Sequence, residues 1–201
     1  MTLQPVFSKD AELVADILGR AFEDDPVMNY IQPDRSFIPR YFKAVFRKYY
    51  ASGGLSRVTP DHAGAALWLP PGVSTWVPPL FYALAWTGRY LVRKNGPAMI
   101  VRAERLLRHV DRARPVQTHY YLHALGVVRD RQGRGIGSRL LRETLLWCDR
   151  DQRPAYLECS NEKNLPLYRR HGFYVSGEYR VAPDAPLIWF MVREPCPTGR
   201  S

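Results

Sequence analysis

Apolar residues recur at helical spacing in two segments near the start of the chain. The first segment follows Ser8, a predicted N-cap, and we expect it to end before Pro26, because proline disfavours continuation of a helix. The second follows Pro33 and carries Arg and Lys side chains on the face opposite its apolar residues. Residues 54–58 and 63–69 are short runs suited to β-strands with a turn between them, so they predict a hairpin.

The second half of the chain predicts strands that alternate with helices. Residues 120–128 are apolar on both faces, as is typical of a strand at the centre of a sheet. Residues 137–148 predict a helix whose inward-facing side chains are Leu140, Leu141, Thr144, Leu145 and Cys148. The remaining predicted elements are a strand over 155–159, a short helix over 164–171, and a hairpin of residues 177–181 with 187–192.

Residues 73–117 separate these two halves and predict a helical insertion. Its clearest helical pattern sets Met99, Ala103, Leu106, Leu107 and Val110 on one face, and Arg102, Arg105, Arg108 and Arg112 on the other. The chain shows no internal repeat, low-complexity segment or linker-like composition. We therefore expect a single domain over residues 1–201 that contains this insertion.

The composition is that of a globular protein, with 46% hydrophobic and 24% charged side chains among 201 residues. These proportions exclude a disordered chain and a disulfide scaffold. The start lacks a signal-peptide pattern and no segment approaches the ~20 apolar residues of a membrane span, so we expect a cytoplasmic protein with no membrane partner. The spacing of Cys148, Cys159 and Cys196 fits no metal or redox motif, which predicts buried free thiols and no metal site.

The net charge of +10 is concentrated in two windows. Residues 89–114 hold eight Arg or Lys against two acidic residues, and residues 129–142 hold five Arg against one. Two local windows suit a compact polyanionic ligand better than a DNA duplex, so no nucleic-acid partner is expected. The stripe from Arg102 to Arg112 leaves salt-sensitive DNA binding as a rival hypothesis, and an Arg-rich composition without a ligand as another.

Gly133, Gly135 and Gly137 alternate in a turn that joins the central strand to the following helix. Glycine lets the backbone approach a ligand closely, and amide N–H groups at a helix start attract anions, so the turn predicts a phosphate or pyrophosphate site. A nucleotide P-loop is excluded because no lysine follows Gly137. A dinucleotide site stays open as an alternative, because Glu158 lies about 20 residues downstream at a strand end.

Two motifs resemble those of a known superfamily. Residues 132–137, Gln-Gly-Arg-Gly-Ile-Gly, resemble the acetyl-CoA-binding motif of the GNAT acetyltransferases. Residues 161–173 resemble a later signature of that superfamily, in which an asparagine precedes a short helix that carries a tyrosine and ends in Gly-Phe. Residues 65–71, 157–160 and 189–193 are further similar to the puromycin N-acetyltransferase group.

The resemblance implies a mixed α/β domain whose central, largely antiparallel sheet is flanked by helices and splayed at an acetyl-CoA cleft. Acetyl-CoA is the implied cosubstrate, without a metal ion. The open strand edge would pair with the pantetheine arm, the glycine turn would hold the pyrophosphate, and Asn164 would also hold the arm. The residues expected at the cofactor are Leu125, Gly126, Val127, Val128, Gln132, Gly133, Arg134, Gly135, Ile136, Gly137, Ser138, Asn164 and Tyr168.

Acetyl transfer to an amine requires a base for the ammonium and an acid for the departing thiolate. The resemblance assigns the acid to Tyr168, with a core tyrosine as the alternative. Glu158 is the preferred base because a carboxylate at a strand end is hard to explain by packing, and a salt bridge to an arginine is its alternative. His123 on the central strand is a further catalytic candidate, or a hydrogen-bonded core residue. By analogy, a backbone N–H near Gly126 or Val127 would stabilise the developing oxyanion.

The acceptor side is predicted from acidic and aromatic residues without an evident role in the helices. Asp24 and Asp25 follow the first helix and would meet a cationic acceptor, or lie in solvent. Trp68, Trp76 and Phe81 are expected to wall an acceptor pocket, with packing as the alternative.

The sequence therefore predicts an N-acetyltransferase that moves an acetyl group from acetyl-CoA to a primary amine of a small molecule, directly and in a ternary complex. A peptide or protein amine and a non-catalytic acyl-CoA-binding module are the alternatives. The similarity to the puromycin group makes antibiotic resistance one expected role. A monomer or homodimer is expected.

Overall fold

The computed structural model of this protein describes residues 2–52, 54–73, 96–180 and 182–197, and within them seven strands form one sheet. The strands are β1 Gln4–Pro5, β2 Arg57–Val58, β3 Gly64–Leu69, β4 Tyr120–Val127, β5 Ala155–Cys159, β6 Tyr174–Arg180 and β7 Leu187–Arg193. The helices are α1 Ala11–Ala21, α2 Pro26–Ile31, α3 Phe37–Val45, α4 Gly96–Ala113, α5 Ile136–Arg150 and α6 Leu165–Arg170. A π-helical turn, Phe46–Tyr50, continues α3.

The strands lie in the order β1-β2-β3-β4-β5-β7-β6, and in the described sheet only β4 and β5 pair in parallel. Their pairing runs from Tyr120 opposite Ala155 to Leu122 opposite Leu157 and stops there. Both strands continue, so β4 and β5 diverge beyond this last pair. The arrangement confirms the mixed, largely antiparallel and splayed sheet that the resemblance implied.

β4 contains a bulge at His123 on the side that pairs with β3. Consecutive residues Leu67 and Trp68 of β3 pair with Ala124 and Leu122, so His123 has no residue opposite it. The extra residue shifts the alternation of side chains along β4 by one position. Strand periodicity alone therefore does not predict which face each β4 side chain occupies.

Two buried clusters pack on the two faces of the sheet. One face is covered by α1, α3 and α4, with Ile17, Phe42 and Leu106 in its core. The other is covered by α5 and α6, with Leu141 and Tyr168 in its core. The prediction for the inward face of α5 is confirmed, because its buried residues are the same five that its periodicity indicated.

The first helix ends at Ala21, before Pro26, as predicted, and Pro26 begins a further short helix that the sequence analysis did not predict. Proline is tolerated at the first helical position because an N–H there has no intrahelical partner. Asp25 caps α2 by accepting hydrogen bonds from the N–H groups of Val27 at 3.0 Å and Met28 at 2.9 Å. Ser8 does not cap α1, since it lies in a short 3₁₀ turn before that helix.

Two side chains lie differently from the prediction. Leu107 of α4 is 37% exposed while Leu106 is buried, so the predicted apolar stripe is wrong at Leu107. Cys196 is exposed, whereas Cys148 and Cys159 are buried as expected. α4 lies within the predicted insertion, of which residues 74–95 are outside the described residues. In the described part of the chain, no helix is long and apolar enough to cross a membrane.

Candidate active site

A cleft of about 580 Å³ lies at the open side of the sheet. Its walls are the end of α1 and the loop before α2, the last residues of β4, the glycine turn, and residues 161–170. The predicted cofactor residues that line it are Leu125, Gly126, Val127, Gln132, Gly133, Gly135, Ile136, Gly137, Ser138, Asn164 and Tyr168. The structure thus brings together most of the residues that the two motifs indicated.

Val128 and Arg134 were also predicted at the cofactor, and neither lines this cleft. The N–H of Val128 donates to the carbonyl of Ala63 at 2.9 Å, and its carbonyl accepts from the N–H of Arg131 at 2.9 Å. Both backbone groups of Val128 are therefore already bonded within the protein. Arg134 lies within the glycine turn and is exposed. The roles of Val128 and Arg134 at the cofactor stay predictions.

The glycine turn and the start of α5 form an anion-binding geometry. Gly133 and Gly135 have φ values of +75° and +76°, a conformation that is costly for residues with a Cβ. Among the described residues no side chain caps α5, so its first amide N–H groups have no acceptor within the helix or from a cap. Such groups bind phosphates. A Cβ on Gly137 would lie 3.2 Å from Leu167 Cδ2, so close packing of α5 against α6 also favours glycine there.

Tyr168 projects from α6 at the edge of the cleft and is 6% exposed. Its ring packs edge-on against Phe173, with the centroids 5.9 Å apart. Burial raises the pKa of Tyr168 above its ordinary value, and the nearby Cys159 and Asp25 raise it further. Its hydroxyl therefore keeps its proton in the protein alone.

Glu158 follows the last paired residue of β5 and lies in a polar cluster on the α3–α4 face. Its Oε2 accepts a hydrogen bond from the Tyr121 hydroxyl at 2.7 Å, and its Oε1 lies 3.7 Å from Arg114 Nε. Within the described residues Oε1 has no hydrogen-bond partner. Burial raises the pKa of Glu158, while Arg114 and the hydrogen bond from Tyr121 partly oppose this rise. The arginine contact foreseen as the alternative is present.

His123 joins the same cluster and does not line the cleft. Its Nε2 lies 3.2 Å from the Tyr41 hydroxyl and its Nδ1 lies 3.4 Å from that of Tyr121. Because Tyr121 gives its hydrogen to Glu158, the consistent tautomer has Nδ1–H donating to Tyr121 and Nε2 accepting from Tyr41. Burial, then the charge of Arg114, lowers the pKa of His123 to about 4, so the ring is neutral at pH 7.

Asp24 and Asp25 line the cleft, and the protein itself engages both carboxylates. Asp24 accepts hydrogen bonds from Arg35 at 3.3 Å and from Arg129 at 3.0 Å. Asp25 is 9% exposed, caps α2 and accepts a hydrogen bond from the Ser160 hydroxyl. Burial raises the pKa of Asp25, and the hydrogen bond from Ser160 opposes the rise. Asp25 therefore ties the start of α2 to the end of β5.

Of the three aromatic residues predicted to wall an acceptor pocket, the structure describes only Trp68. Trp68 is 0% exposed and packs among Leu140, Leu141 and other buried residues on the α5 face. It is a core residue rather than a pocket wall, because α5 covers that face of β3. Trp76 and Phe81 lie outside the described residues.

Sequence reasoning missed two members of the polar cluster. Tyr121 lies two residues before His123 in β4, so strand alternation was a signal that placed the two on one face. Arg114 had no comparable signal, because it is one of many cations in the insertion and reaches Glu158 only through the packing of α4.

Among the described residues, no group of three or more His, Cys, Asp or Glu could hold a metal ion.

Comparison with known sequences identifies related acetyltransferases. Residues 88–175 match the family model described as an acetyltransferase (GNAT) domain. An uncharacterised N-acetyltransferase of Schizosaccharomyces pombe is 28% identical over 210 residues, which cover 97% of this chain and 84% of the relative.

Solved structures share the fold over almost the whole chain. A Corynebacterium glutamicum protein described as histone acetyltransferase HPA2 and related acetyltransferase has a TM-score of 0.69 and 23% identity, covering 98% of both chains. Arylalkylamine N-acetyltransferase 2 of Aedes aegypti has a TM-score of 0.64 and 15% identity, covering 96% of this chain and 98% of its own. At these identities the likeness shows the fold.

Proposed function

Since this chain belongs to the GNAT acetyltransferase superfamily and is an acetyltransferase, we propose that it moves an acetyl group from acetyl-CoA to a primary amine of a small molecule. The transfer is direct, in a ternary complex without a covalent enzyme intermediate. A peptide or protein amine is the other acceptor class to test, and a non-catalytic acyl-CoA-binding module would release no CoA with any amine. The proposal places the enzyme in the cytoplasm, as a monomer or homodimer.

The described residues fit acetyl-CoA at both ends of the cleft. We assign the diphosphate to the turn over residues 132–138, where positive φ values expose backbone amides. We assign the pantetheine arm to the backbone of Leu125, Gly126 and Val127, because in the described part of the sheet no strand pairs with β4 on its β5 side beyond Leu122. Asn164 lines the same stretch of the cleft. Bound acetyl-CoA supplies a thioester whose carbonyl carbon is open to attack by an amine.

The observation that carries the proposal is the alternation of two neighbouring side chains at the end of β5. Cys159 packs in the same buried cluster as Tyr168, on the α5–α6 face. Glu158, the preceding residue, contacts Tyr121 and Arg114 on the opposite face. The candidate acid, Tyr168, lines the cleft, and the candidate base, Glu158, is not among its lining residues and lies on the opposite face of the sheet where the strands part. Direct transfer uses both groups, because the attacking ammonium must lose a proton and the departing sulfur must gain one.

Glu158 is the base in this proposal. An ordinary alkylamine with a pKa near 10.4 is neutral about once in 2,500 molecules at pH 7, so a proton must be removed before attack. The N–H bond of the ammonium breaks, its electron pair stays on nitrogen, and the proton forms an O–H bond with the carboxylate. Burial raises the pKa of Glu158 towards the working pH, which improves a general base.

Tyr168 is the acid, and the backbone stabilises negative charge. As the sulfur leaves, the Tyr168 O–H bond breaks and its proton forms an S–H bond, so CoA departs as the neutral thiol. The raised pKa means only that the phenol is protonated before this step. A backbone N–H near Gly126 or Val127 would stabilise the charge that develops on the carbonyl oxygen.

An amine library assayed by release of free CoA tests the proposal. It should contain arylalkylamines, polyamines and aminonucleoside antibiotics beside peptides with free N-termini. We expect turnover of a small-molecule amine, and a loss of about 100-fold in kcat for Glu158→Gln with acetyl-CoA affinity unchanged. Glu178→Gln, an exposed carboxylate on β6, is the matched control and should match the unmodified enzyme. Acetylation of peptides alone would overturn the acceptor class, and full turnover by Glu158→Gln would overturn its role.

A further inference from the structure

Arg114 is the first residue after α4, and its side chain contacts both members of the Tyr121–Glu158 pair. Its Nε lies 3.7 Å from Glu158 Oε1, and its guanidinium carbon lies 4.6 Å from the centre of the Tyr121 ring. Tyr121 thus holds the carboxylate with its hydroxyl and the guanidinium with its ring face. The end of α4 thus brings the cation of Arg114 to the carboxylate of Glu158, on the face of the sheet that α4 covers.

The contact lies out of solvent. The Arg114 and Glu158 side chains are only 21% and 13% exposed. A carboxylate in such surroundings tends to take up a proton unless a positive charge lies within about 4–6 Å. Arg114 supplies that charge across 3.7 Å, and the Tyr156 hydroxyl is a further polar group beside the carboxylate.

We propose that Arg114 is a positioning residue that holds Glu158 as an anion at the sheet opening, ready to take the proton of the acceptor ammonium. The inference rests on the proposed role of Glu158. Arg114 touches neither the acceptor nor the thioester in this account, and it acts through the carboxylate alone.

The surrounding groups agree with this assignment. Burial raises the pKa of Glu158, and among the influences that lower this pKa Arg114 is the largest. His123 is neutral at pH 7 and adds no charge, and Phe190 of β7, opposite Glu158, carries none. Asp111, an exposed acid one turn earlier, lies 3.5 Å from Arg114 and orients it. The polar groups near the pair are Tyr121 and His123 of β4, Tyr156 of β5, Tyr50 of the π-helical turn and Asp111 of α4.

A direct titration of Glu158 tests the inference without an acceptor. In the full-length protein labelled with ¹³C-glutamate, the carboxyl signal absent from Glu158→Gln identifies Glu158. Its titration midpoint should move to higher pH in Arg114→Gln and return towards the original value in Arg114→Lys. Arg112→Gln, an exposed arginine of the same helix, should leave it unchanged. An unchanged midpoint in folded Arg114→Gln overturns the inference.

Kinetics of the same variants then connect the titration to turnover. With the amine selected by the library, the acid limb of kcat/KM should move to higher pH in Arg114→Gln, with about a tenfold loss at pH 6. The KM for acetyl-CoA should stay the same. If the midpoint moves but Glu158→Gln retains turnover, the base assignment fails and the coupling of the two residues stands. If Glu158→Gln is inactive and the midpoint does not move, the base stands and the role of Arg114 is overturned.

Discussion

The hydroxyl of Tyr121 donates a 2.7 Å hydrogen bond to Oε2 of Glu158, and this bond spans the place where β4 and β5 cease to pair. Tyr121 precedes Leu122 and Glu158 follows Leu157, and Leu122 with Leu157 is the last pair of the two strands. The hydrogen bond therefore fixes the carboxylate where the sheet opens. It occupies one of the two carboxylate oxygens.

Loss of this hydrogen bond should leave less of Glu158 ionised at a given pH. In Tyr121→Phe, the ionised carboxylate loses a donor that favours its charged form, so the pKa of Glu158 rises. We expect kcat at pH 7 to fall about tenfold with an unchanged KM for acetyl-CoA. Tyr120→Phe is the matched control, because its hydroxyl bonds Asp151 away from the site. Equal effects of the two substitutions in steady-state kinetics would show that the loss is structural.

Alanine substitutions at two glycines should separate the effect of backbone strain on stability from the effect of the glycine turn on acetyl-CoA binding. Gly135→Ala and Gly72→Ala both place a Cβ at positive φ, +76° and +84°, with open space around it. Each should lose about 1–2 kcal/mol of unfolding free energy, measured in urea. Only Gly135 lines the cleft, so only its substitution should weaken acetyl-CoA binding, by about tenfold or more in calorimetry. Equal acetyl-CoA affinities in both variants would show that the diphosphate does not bind at this turn.

His123 should contribute to the pH dependence of stability rather than to the pH profile of catalysis. Its folded-state pKa of about 4 lies below the ordinary value of 6.5, so the unfolded chain binds its proton first as pH falls. The stability that the neutral ring contributes is fully present above pH 6.5 and is lost progressively down to about pH 4. Urea unfolding of His123→Gln should therefore depend less on pH in this window than the unmodified protein. If the two proteins showed the same dependence of stability on pH, the imidazole of His123 would be solvated in the folded protein rather than buried.

Local sequence signals predicted the parts of the molecule that depend on local structure. The five inward residues of α5 followed from helical periodicity, and the glycine turn followed from conformations that other residues rarely adopt. Pro26 shows the limit of such signals, since it follows the end of α1 and also begins α2, and only the first of these was predicted. The structure shows that Asp25 caps the second helix.

The polar cluster could be predicted from periodicity only in part. Alternation places Tyr121 and His123 on one face, but the bulge at His123 shifts the faces of the β4 residues after it, and nothing in the apolar pattern of that strand marks it. Trp68 was misassigned because a large aromatic residue looks the same in a pocket wall and in a core. All six residues of β3 are buried, so both faces of that strand are covered. Arg114 and Glu158 meet only because α4 packs on the same face as Tyr121.

The central claim, that Tyr168 and Glu158 act as acid and base where the sheet opens, is tested most directly by the turnover of Tyr168→Phe at saturating acetyl-CoA and amine. The substitution removes the proton donor and keeps the buried ring against Phe173. We predict a kcat about 100-fold lower, with an acetyl-CoA Kd within about threefold of the unmodified enzyme. An undiminished kcat at the same Kd would contradict the account, because the thiolate would then leave without a proton from Tyr168.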